Sequence, residues 1–535
     1  MQMVNRIQRG LKRRLSHWQS NRQIERLISE VSSHSPAEKT APVVFFNAST
    51  RLGGVSLNAA YSLLTAQVLR LQGVPVVHFA CQRGLTPCVL GTNRDDPQAV
   101  PPCADCLAQT RVLTRGGDLY HLLPTPEPEL ETALAGLSVA QMMDFEFNSV
   151  PLGRLVLPAL RWVLRRHHLK DDEPTRFLFR QYLISALRVV HQFGALLDKV
   201  KPQVVVVFNG QFYPEAAARW AALQRGIRVI SHEIGLRPFT AYFTDGDATA
   251  YPIHIADDFE LDDAQNARLD AYLEQRFQGN FTMGGVRFWP EMKPLSPELL
   301  QKAAAFKQIV PVFTNVIFDT SQAHANVLFE HMFAWLDDTL DLIRRHPETL
   351  FVIRAHPDES RPGKASRETV AEWVHTSGAD QLPNVVFVDS TEYLSSYELI
   401  QRSKFVMIYN STIGMETSLL GVAVLCAGRA RFTQLPTVFF PPSLAEYHRL
   451  EEELLTVEKV SVPPEFERNA RRFLYYQLYR VSLPLEALMQ EDGIWRGYVR
   501  LKPGLTWQNL LPEKSPTLRV AVEGILRAAP FEMDE

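Results

Sequence analysis

The stretch from residue 351 to residue 428 alternates short apolar runs with helical segments, and this alternation constrains the fold more than any other feature. The runs occupy residues 351–353, 385–388, 405–408 and 422–425. They are short and rich in Val, Ile and Phe, as the buried strands of parallel sheets are. Strands separated by helices form an open α/β sheet, which binds ligands at the carboxyl ends of its strands. The sequence therefore predicts an α/β fold with a binding edge in this stretch.

Polar residues follow two of these runs, one set after 351–353 and one after 405–408. The two sets are Arg354, His356 and Pro357, and Asn410, Ser411, Thr412, Gly414 and Glu416. The second set should begin a helix, where free N–H groups and hydroxyls can bind a phosphate. Glu416, one turn into that helix, could reach a ribose hydroxyl, and together the residues predict a nucleotide site. Taken singly, Ser411 or Thr412 would be an N-cap and His356 a packed loop histidine.

The patterns Arg-x-His-Pro, Asn-Ser-Thr-x-Gly-x-Glu and Gly-x-x-Val together resemble the donor half of GT-B glycosyltransferases. The resemblance is strongest to bacterial capsular-polysaccharide transferases, including Kdo and sialic-acid transferases. It covers most of residues 200–430 and, more loosely, 40–200. It implies a GT-B-like fold, with two Rossmann-like domains facing across a cleft and added helices. It also implies that His356, Pro357, Ser411 and Thr412 bind the phosphate of a nucleotide-sugar donor.

Length and charge limit the classes of protein that this chain can belong to. Its 535 residues are enough for two domains and further elements. The net charge of -3 argues against a nucleic-acid partner. No apolar run is long enough to span a bilayer, and basic residues interrupt any signal-peptide core near the N-terminus. We expect a cytoplasmic protein whose cysteines are reduced unless they bind a metal.

The sequence of residues 1–38 predicts a basic amphipathic helix. Its apolar residues fall at helical spacing with arginines and a lysine between them. They are Val4, Ile7, Leu11, Leu15 and Trp18. Such a helix could place residues 1–30 on the anionic inner face of a membrane. The alternative is a helix that packs on the protein and exposes its basic face to solvent.

Residues 39–260 predict the first Rossmann-like domain, which would hold the acceptor and which includes a helical insertion over residues 140–200. A strand at 43–46 leads through Gly53 and Gly54 into a helix. Glycines in such a turn permit close approach of a ligand. Asn209 follows another apolar run at 204–208. The similarity of this start to that of GT-B acceptor domains implies that Gly53, Gly54 and Asn209 form an acceptor-side loop region.

Four of the five cysteines lie within residues 81–106. They are Cys81, Cys88, Cys103 and Cys106, and the last two form a C-x-x-C pattern. This spacing predicts a structural zinc site. A redox pair is less favoured because no helix clearly begins at the pattern. Four loop thiols without a joint role are the remaining alternative.

Glu233 follows the predicted strand 228–230 and stands where a general base for an acceptor hydroxyl would be needed. His232 is a competitor for that role. The run Glu-x-Gly-Leu-Arg-Pro is similar to an acidic-Gly motif of capsule Kdo transferases, which implies a catalytic carboxylate at Glu233. The chain departs from that motif, with Ile234 in place of a second acidic residue and a spacing to Arg237 that differs by one. A Glu233–Arg237 ion pair is the structural alternative.

The sequence Asp245-Gly246-Asp247 matches the D-x-D pattern that binds a divalent metal in GT-A enzymes. A turn explains it more simply in a Rossmann-like domain, so catalysis is expected to need no metal. The remaining boundaries predict a linker at 261–300, a nucleotide-sugar domain at 301–445 and a C-terminal helical region at 446–535.

These features predict a glycosyltransferase that moves a sugar from a nucleotide-sugar donor to a bacterial capsular or related polysaccharide, or to a lipid-linked glycan. Glu233 or His232 would deprotonate the acceptor hydroxyl. Donor groups on the other domain would stabilise the charge on the departing phosphate. They are Arg354, His356, Ser411 and Thr412. A CDP-glycerol-type polyol-phosphate transferase, a nucleotide-sugar 2-epimerase and a non-catalytic capsule-assembly protein remain as alternatives.

Overall fold

The computed structural model describes residues 2–38, 40–48, 53–85, 87–278, 282–283, 286–287, 292–494 and 497–534, with the backbone alone in 2–13, 282–283 and 286–287. The chain divides into two compact units. Unit 1 consists of Met1–Val163, Leu169–Tyr251 and Leu478–Glu535. Unit 2 consists of Leu164–His168 and Pro252–Gln477.

Strands and helices alternate along most of the described chain. The strands are β1 (Val43–Phe46), β2 (Val76–Cys81), β3 (Asp118–Leu122), β4 (Val204–Phe208), β5 (Arg228–Ile234), β6 (Thr240–Asp245), β7 (Thr282–Met283), β8 (Val286–Arg287), β9 (Gln308–Phe313), β10 (Thr349–Arg354), β11 (Val385–Val388), β12 (Val406–Ile408), β13 (Val424–Cys426), β14 (Leu483–Pro484), β15 (Met489–Glu491) and β16 (Val499–Leu501). The helices are α1 (Gln2–His34), α2 (Leu57–Leu71), α3 (Cys103–Leu113), α4 (Pro128–Ala133), α5 (Val139–Met143), α6 (Leu152–Leu164), α7 (Glu173–Val200), α8 (Tyr213–Leu223), α9 (Asp263–Phe277), α10 (Pro297–Ala303), α11 (Gln322–Ala325), α12 (Met332–Arg345), α13 (Val370–Ser377), α14 (Ser396–Gln401), α15 (Ile413–Leu419), α16 (Leu444–Thr456), α17 (Pro464–Tyr475) and α18 (Pro516–Arg527).

Unit 1 is built on one sheet with the strand order β14-β6-β5-β4-β1-β2-β3. Strands β3, β2, β1, β4 and β5 run parallel, and β6 pairs with β5 in the antiparallel sense. The central strands β1 and β4 are almost entirely buried, which explains their unbroken apolar sequences. Nearly every residue of α2 is buried as well, because this helix lies within the core of unit 1.

Unit 2 contains a fully parallel sheet with the strand order β11-β10-β9-β12-β13. Counted from its own first strand, this order is 3-2-1-4-5, and the parallel part of the unit 1 sheet has the same order. It is the order of Rossmann-type sheets, which bind ligands where the order reverses. The reversal falls between β9 and β12 in unit 2 and between β1 and β4 in unit 1. The prediction of an α/β fold with two Rossmann-like halves is confirmed.

Helix α1 is partly a core element. In its second half it buries Ile24, Leu27, Ile28 and Val31 in the core of unit 1. Leu15 and Trp18 are more than half exposed. The side chains of Val4, Ile7 and Leu11, which belong to the predicted apolar stripe, lie outside the described residues. None of the helices in the described ranges combines the length and apolarity needed to cross a bilayer.

Two regions differ from the expected organisation. The predicted linker at 261–300 contains α9, β7, β8 and α10, and it belongs to unit 2. The C-terminal region at 446–535, predicted to be helical, also contains β14, β15 and β16, and its last part from Leu478 belongs to unit 1. These strands have two or three residues, too few to show a recognisable period in the sequence.

Candidate functional site

Strand β10 of unit 2 ends at Arg354, the first of the predicted phosphate-binding residues. The side chain is 3% exposed. Its Nη2 atom lies 3.4 Å from the carbonyl oxygen of Glu392, and its own carbonyl accepts from the amide and hydroxyl of Thr314 at 3.2 and 3.0 Å. Burial lowers the pKa of Arg354 to about 10, so the guanidinium keeps its charge at neutral pH. The strand end thus presents a fixed positive charge.

His356 and Pro357 begin a single turn of 3₁₀-helix over Pro357–Ser360. The amide of Asp358 donates to His356 Nδ1 at 3.1 Å. Burial lowers the pKa of His356, partly opposed by Asp358 and Asp319. The imidazole is therefore neutral at pH 7, and because Nδ1 accepts, its proton is on Nε2. His356 thus caps the turn with one nitrogen and keeps an N–H donor on the other.

Asn410 lies at the end of β12, on the other side of the point where the strand order reverses. Its amide donates to Oδ1 of Asn315, from the end of β9, at 3.2 Å. Gln322 Nε2 donates to Asn410 Oδ1 at 3.3 Å. The residues after β9 and β12 are thus joined at the expected ligand-binding position of the sheet. Gln322 did not stand out in the sequence because it follows no apolar run.

Ser411 and Thr412 occupy the turn between β12 and α15. Ser411 is 6% exposed. Thr412 is the N-cap residue of α15, with helical backbone angles, and its side chain makes no capping hydrogen bond. Thr412 therefore stands at the N-cap position, as the alternative expected, but its hydroxyl does not cap the helix. Gly414 has a packing role, because a Cβ atom there would lie 2.3 Å from Ile408 Cδ1 of β12.

Glu416 is buried and its carboxylate is already paired. Its Oε1 atom lies 2.5 Å from Arg276 Nη2, and its Oε2 atom accepts from the Tyr397 hydroxyl at 2.5 Å. Burial alone would lower the pKa of Arg276, but Glu416 and neighbouring tyrosines raise it. Both carboxylate oxygens of Glu416 thus already have partners within unit 2, in addition to any ribose contact. The sequence did not indicate this pairing because Arg276 is 140 positions away.

Glu233 lies in β5 of unit 1, which continues through Ile234 beyond its predicted end at residue 230. The extension forms because β6 pairs with it, placing Glu233 opposite Tyr242. Asn209 Nδ2 donates to Glu233 Oε2 at 2.8 Å, and the amide of Ile234 donates to Oε1 at 2.8 Å. Arg237 Nε donates instead to the carbonyl of Leu478 at 2.8 Å. Glu233 is thus oriented by neutral donors.

His232 is 2% exposed and faces the interior of unit 1. Its ring lies between 5.4 and 6.2 Å from the rings of Tyr61, Phe208 and Phe243. Successive residues of a strand point to opposite faces of the sheet, so Glu233 and His232 lie on opposite faces of β5. Of the two proposed bases, Glu233 is only partly buried and is the better placed to meet a substrate.

Asn209 follows β4 at the point where the strand order of unit 1 reverses. It has a φ of 61° and the next residue, Gly210, a φ of 92°. Asparagine tolerates this left-handed conformation better than most residues. Its amide N–H donates to the carbonyl of His232 at 2.9 Å, which fixes the turn to β5. Asn209 therefore joins two strand ends and directs the Glu233 carboxylate.

Gly53 and Gly54 are closely approached by other side chains of unit 1. A Cβ atom on Gly54 would lie 2.8 Å from Tyr498 Cδ1, and one on Gly53 would lie 3.3 Å from His17 Cε1. Gly54 also has a φ of 92°, which favours glycine. The sequence predicted close approach of a ligand at these glycines, and in the structure side chains of the protein approach them closely. Residues 49–52 of the same loop lie outside the described residues.

The two aspartates of the D-x-D pattern are engaged within unit 1. Asp245 accepts two hydrogen bonds from Arg228, at 2.6 and 2.8 Å. Asp247 caps a short turn and accepts from the amide and hydroxyl of Thr249 at 2.9 and 2.7 Å. These contacts agree with the interpretation of the pattern as a turn.

The four cysteines Cys81, Cys88, Cys103 and Cys106 line one pocket of unit 1. Backbone amides face two of the sulfurs, Leu85 N at 3.5 Å from Cys81 Sγ and Gly91 N at 3.2 Å from Cys88 Sγ. Burial raises the pKa of Cys88 to about 12, so this thiol is neutral at pH 7 without a bound cation. In the described parts of the chain, no three of the sulfurs lie within 4.8 Å of one another.

The C-x-x-C pattern stands in the first turn of α3, which begins at Cys103. The expectation that no helix begins there was wrong. Its cause is local: Pro102 occupies the N-cap position without a side-chain cap, so the usual sequence signal for a helix start is missing. A helix N-terminus favours thiolates, but burial and the neighbouring Cys106 raise the pKa of Cys103, which does not favour a redox pair.

Two other clusters have the ligand types and spacing of metal sites within the described ranges. In each, three ligand atoms lie within 4.8 Å of one another. The clusters are His167, His168 and His331, and Asp338, His448 and Glu451. In the sequence, His167 and His168 follow two arginines and give no sign of a metal site, because His331 comes close to them only in the folded chain.

Residues 298–435 match the sequence profile of a family described as Capsule polysaccharide biosynthesis protein. The resemblance to capsular-polysaccharide proteins is confirmed over this segment. It contains the whole predicted donor edge, from Arg354 to Glu416. A search of curated proteins finds no match.

Among solved structures, the chain is similar to the β-Kdo 2,4-transferase of Thermosulfurimonas dismutans KpsC, at 11% identity and a TM-score of 0.32, covering 52% of this chain and 80% of that one. The β-Kdo 2,7-transferase of the same protein matches at 15% identity and 0.30, covering 54% and 80%. A UDP-GlcNAc 2-epimerase from Neisseria meningitidis matches at 13% and 0.21, covering 82% and 98%. These TM-scores are too low to establish a shared fold by themselves.

Proposed function

We propose that this protein is a glycosyltransferase that moves a sugar from a nucleotide-sugar donor to a bacterial capsular or related surface glycan. The observation that carries the proposal is that the family match at 298–435 contains the sheet edge on which the predicted phosphate-binding residues lie. That edge combines the charged Arg354, the neutral N–H donor of His356 and the hydroxyls of Ser411 and Thr412.

The donor edge of unit 2 would stabilise the leaving group. In the transfer, the acceptor oxygen forms a bond to the anomeric carbon of the sugar. The bond from that carbon to the donor phosphate breaks, and its electron pair goes to the phosphate. Arg354 and His356 would meet the charge that develops on the phosphate oxygens. Because both are fixed by backbone contacts, they need little rearrangement as the bond breaks.

Glu233 of unit 1 would take the proton of the acceptor hydroxyl. Asn209 holds Oε2 of this carboxylate, which restricts its rotamer and directs one oxygen. His232 is enclosed by aromatic rings and is not assigned this role. We propose that catalysis is independent of metal, because Asp245 and Asp247 are engaged by Arg228 and Thr249. The Glu233 carboxylate then carries the proton until it passes to water.

A thermal-shift panel of CMP, CDP, UDP, UDP-sugars and GDP-sugars tests the donor edge. A ligand at about 100 times its Kd should stabilise the protein by about 2.7 kcal/mol. We expect one nucleotide class to stabilise the wild type and not His356→Ala. His254→Ala is the matched control, because His254 is exposed in unit 2. No response to any nucleotide would contradict the proposal and favour the assembly protein.

Acceptor dependence separates the transferase from its alternatives. A glycosyltransferase releases free nucleotide only when a glycan acceptor is present, whereas a 2-epimerase interconverts the nucleotide sugar without an acceptor. Products from CDP-glycerol would identify a polyol-phosphate transferase. If Glu233→Ala left turnover unchanged while nucleotide binding persisted, the assignment of the base would be wrong.

We also propose that α1 makes peripheral contact with the inner face of a membrane, as its exposed Leu15 and Trp18 suggest. Deleting residues 1–30 would disturb the core, because Ile24 and Leu27 are buried there. The double variant Leu15→Ser/Trp18→Ser is therefore the better test. It should reduce co-sedimentation with anionic liposomes, and unchanged co-sedimentation would contradict the contact.

The cysteine cluster is proposed to hold a structural zinc ion. The amides of Leu85 and Gly91 already face two of the sulfurs, a contact that favours thiolates once a cation binds. Cys103→Ser/Cys106→Ser should then remove one equivalent of zinc from the purified protein. Equal zinc content in that variant and the wild type would show that these cysteines do not bind zinc.

A further inference from the structure

Three histidines of unit 2 bring their ring nitrogens together. His167 and His168 lie in the short segment Leu164–His168, and His331 is the N-cap residue of α12. One nitrogen from each ring lies within 4.8 Å of the others. The ring centroids are 4.6 Å apart for His167 and His331 and 4.7 Å apart for His168 and His331. Three imidazoles that converge in this way are the ligand set of many zinc sites.

The spacing of two of the nitrogens matches a tetrahedral metal. His168 Nε2 and His331 Nε2 are 3.3 Å apart. Zinc binds imidazole nitrogen at about 2.0–2.1 Å, so two ligands of a tetrahedral zinc ion stand roughly 3.3–3.4 Å apart. The observed separation therefore leaves room for an ion that binds both.

Glu368 contacts both histidines of the segment Leu164–His168 through its carboxylate. Its Oε2 atom accepts from the backbone amides of His167 and His168 at 2.7 and 3.0 Å. Its Oε1 atom forms a short hydrogen bond with His168 Nδ1. A carboxylate on the far nitrogen fixes the proton there and leaves Nε2 free to bind a metal. His168 is thus held in the tautomer and orientation of a ligand.

His331 carries the proton that a metal would displace. Its Nδ1 atom accepts from the amide of Ala334 at 3.1 Å, so the neutral ring has its hydrogen on Nε2. Without a metal, this hydrogen points to His168 Nε2, and the two rings share it. A metal binds a neutral imidazole at its unprotonated nitrogen, so binding at Nε2 requires this hydrogen to move to Nδ1 and the contact with the Ala334 amide to open.

We propose that His167, His168 and His331 form a binding site for a divalent transition metal of the kind that imidazole prefers, with Zn²⁺ as the test ion. The side chain of His168 is 55% exposed, which leaves a further coordination position open to water. Arg165 is tied to the same region, because its carbonyl accepts from Arg367 at 2.8 Å and its guanidinium lies 4.8 Å from the centre of the Phe318 ring. The metal would hold this segment in place. The inference does not depend on the proposed sugar transfer.

Equilibrium dialysis of the full chain against Zn²⁺, followed by metal analysis, measures the stoichiometry. We compare the wild type with His168→Ala/His331→Ala, Glu368→Gln and the exposed control His254→Ala. The double variant should bind one zinc ion fewer. Glu368→Gln should bind it about 10–100-fold more weakly, because only the support of a ligand is lost. His254→Ala should match the wild type.

Cobalt substitution distinguishes this site from the cysteine cluster. Co²⁺ bound by thiolates shows an intense sulfur-to-metal charge-transfer band, which an all-histidine site lacks. In Cys103→Ser/Cys106→Ser we expect d–d absorption of Co²⁺ without the charge-transfer band. Adding His168→Ala/His331→Ala should abolish the d–d absorption as well. Equal metal content in the wild type and the histidine double variant, with an unchanged cobalt spectrum, would overturn the proposal and leave a hydrogen-bonded pair of histidines.

Discussion

Two glutamates of this protein were predicted to act on substrate, and their surroundings differ. Glu233 in unit 1 is partly exposed and is held by the side-chain amide of Asn209 and the backbone amide of Ile234. Glu416 in unit 2 is 3% exposed and contacts the guanidinium of Arg276 and the hydroxyl of Tyr397. Neutral donors orient a carboxylate and leave it able to take a proton. A buried cation compensates the charge and commits the carboxylate to the fold.

The difference shows why residue type and position along the chain do not define a catalytic role. Both glutamates lie close to the carboxyl ends of parallel strands, where α/β sheets bind ligands. Only the residues that contact each carboxylate show that Glu233 can accept a proton and that Glu416 belongs to an internal ion pair. We therefore assign Glu233 to the chemistry and Glu416 to the support of the donor edge.

The largest expected effect is on turnover in Glu233→Gln. Loss of a general base reduces the rate by about 10²–10⁴-fold, whereas nucleotide-induced thermal stabilisation should not change. Acceptor-dependent nucleotide release measures the rate. Glu129→Gln, an exposed glutamate of unit 1, is the matched control. A loss of less than tenfold in Glu233→Gln would remove the contrast between the two glutamates.

Glu416→Ala should instead act on stability. It leaves the buried Arg276 without its carboxylate, which costs about 3–5 kcal/mol of the free energy of unfolding. Urea unfolding followed by intrinsic fluorescence measures it. The double variant Arg276→Met/Glu416→Leu, which removes both charges, should recover most of the loss. If Glu416→Ala were as stable as the wild type, the ion pair would not support the fold.

A smaller effect is expected from Asn209→Gly, which keeps the left-handed turn and removes the amide that holds Glu233. We expect kcat to fall about tenfold, since one hydrogen bond of about 1–1.5 kcal/mol orients the base. KM for the donor should stay unchanged, because the donor edge lies in the other unit. A change in KM alone would indicate that Asn209 contacts substrate instead of positioning the base.

A last prediction concerns the pH dependence of stability at the turn after β10. Burial raises the pKa of Glu359 from 4.5 to about 8. Between these values the unfolded chain ionises while the folded chain keeps the proton. Stability should therefore fall as pH rises through this window, by at most about 1.4 kcal/mol per pH unit. Glu359→Gln should flatten this dependence in urea unfolding, and an unchanged slope would contradict it.

The sequence was sufficient to predict the strands that bear the site. The prediction for β11 agrees with the structure to the residue, and that for β10 names its core, because buried parallel strands are continuous apolar runs. The partners of the site residues could not be predicted in the same way. Arg276 and Glu416 are 140 positions apart, and Glu368 and His168 are 200 apart, so only the folded chain brings them together. The extension of β5 depends on its pairing with β6, which no local pattern shows.

The return of the chain to unit 1 after Leu478 has a consequence for the order of folding during synthesis. Strand β14 pairs with β6, and Leu483, Leu518 and Ile525 complete the unit 1 core. On the ribosome, unit 1 begins first but lacks this part of its core until translation has passed unit 2. Unit 2 has its own core by then, so it can fold earlier than the unit that precedes it. Until that point β6 is an unprotected edge strand, a site where nascent chains can associate wrongly.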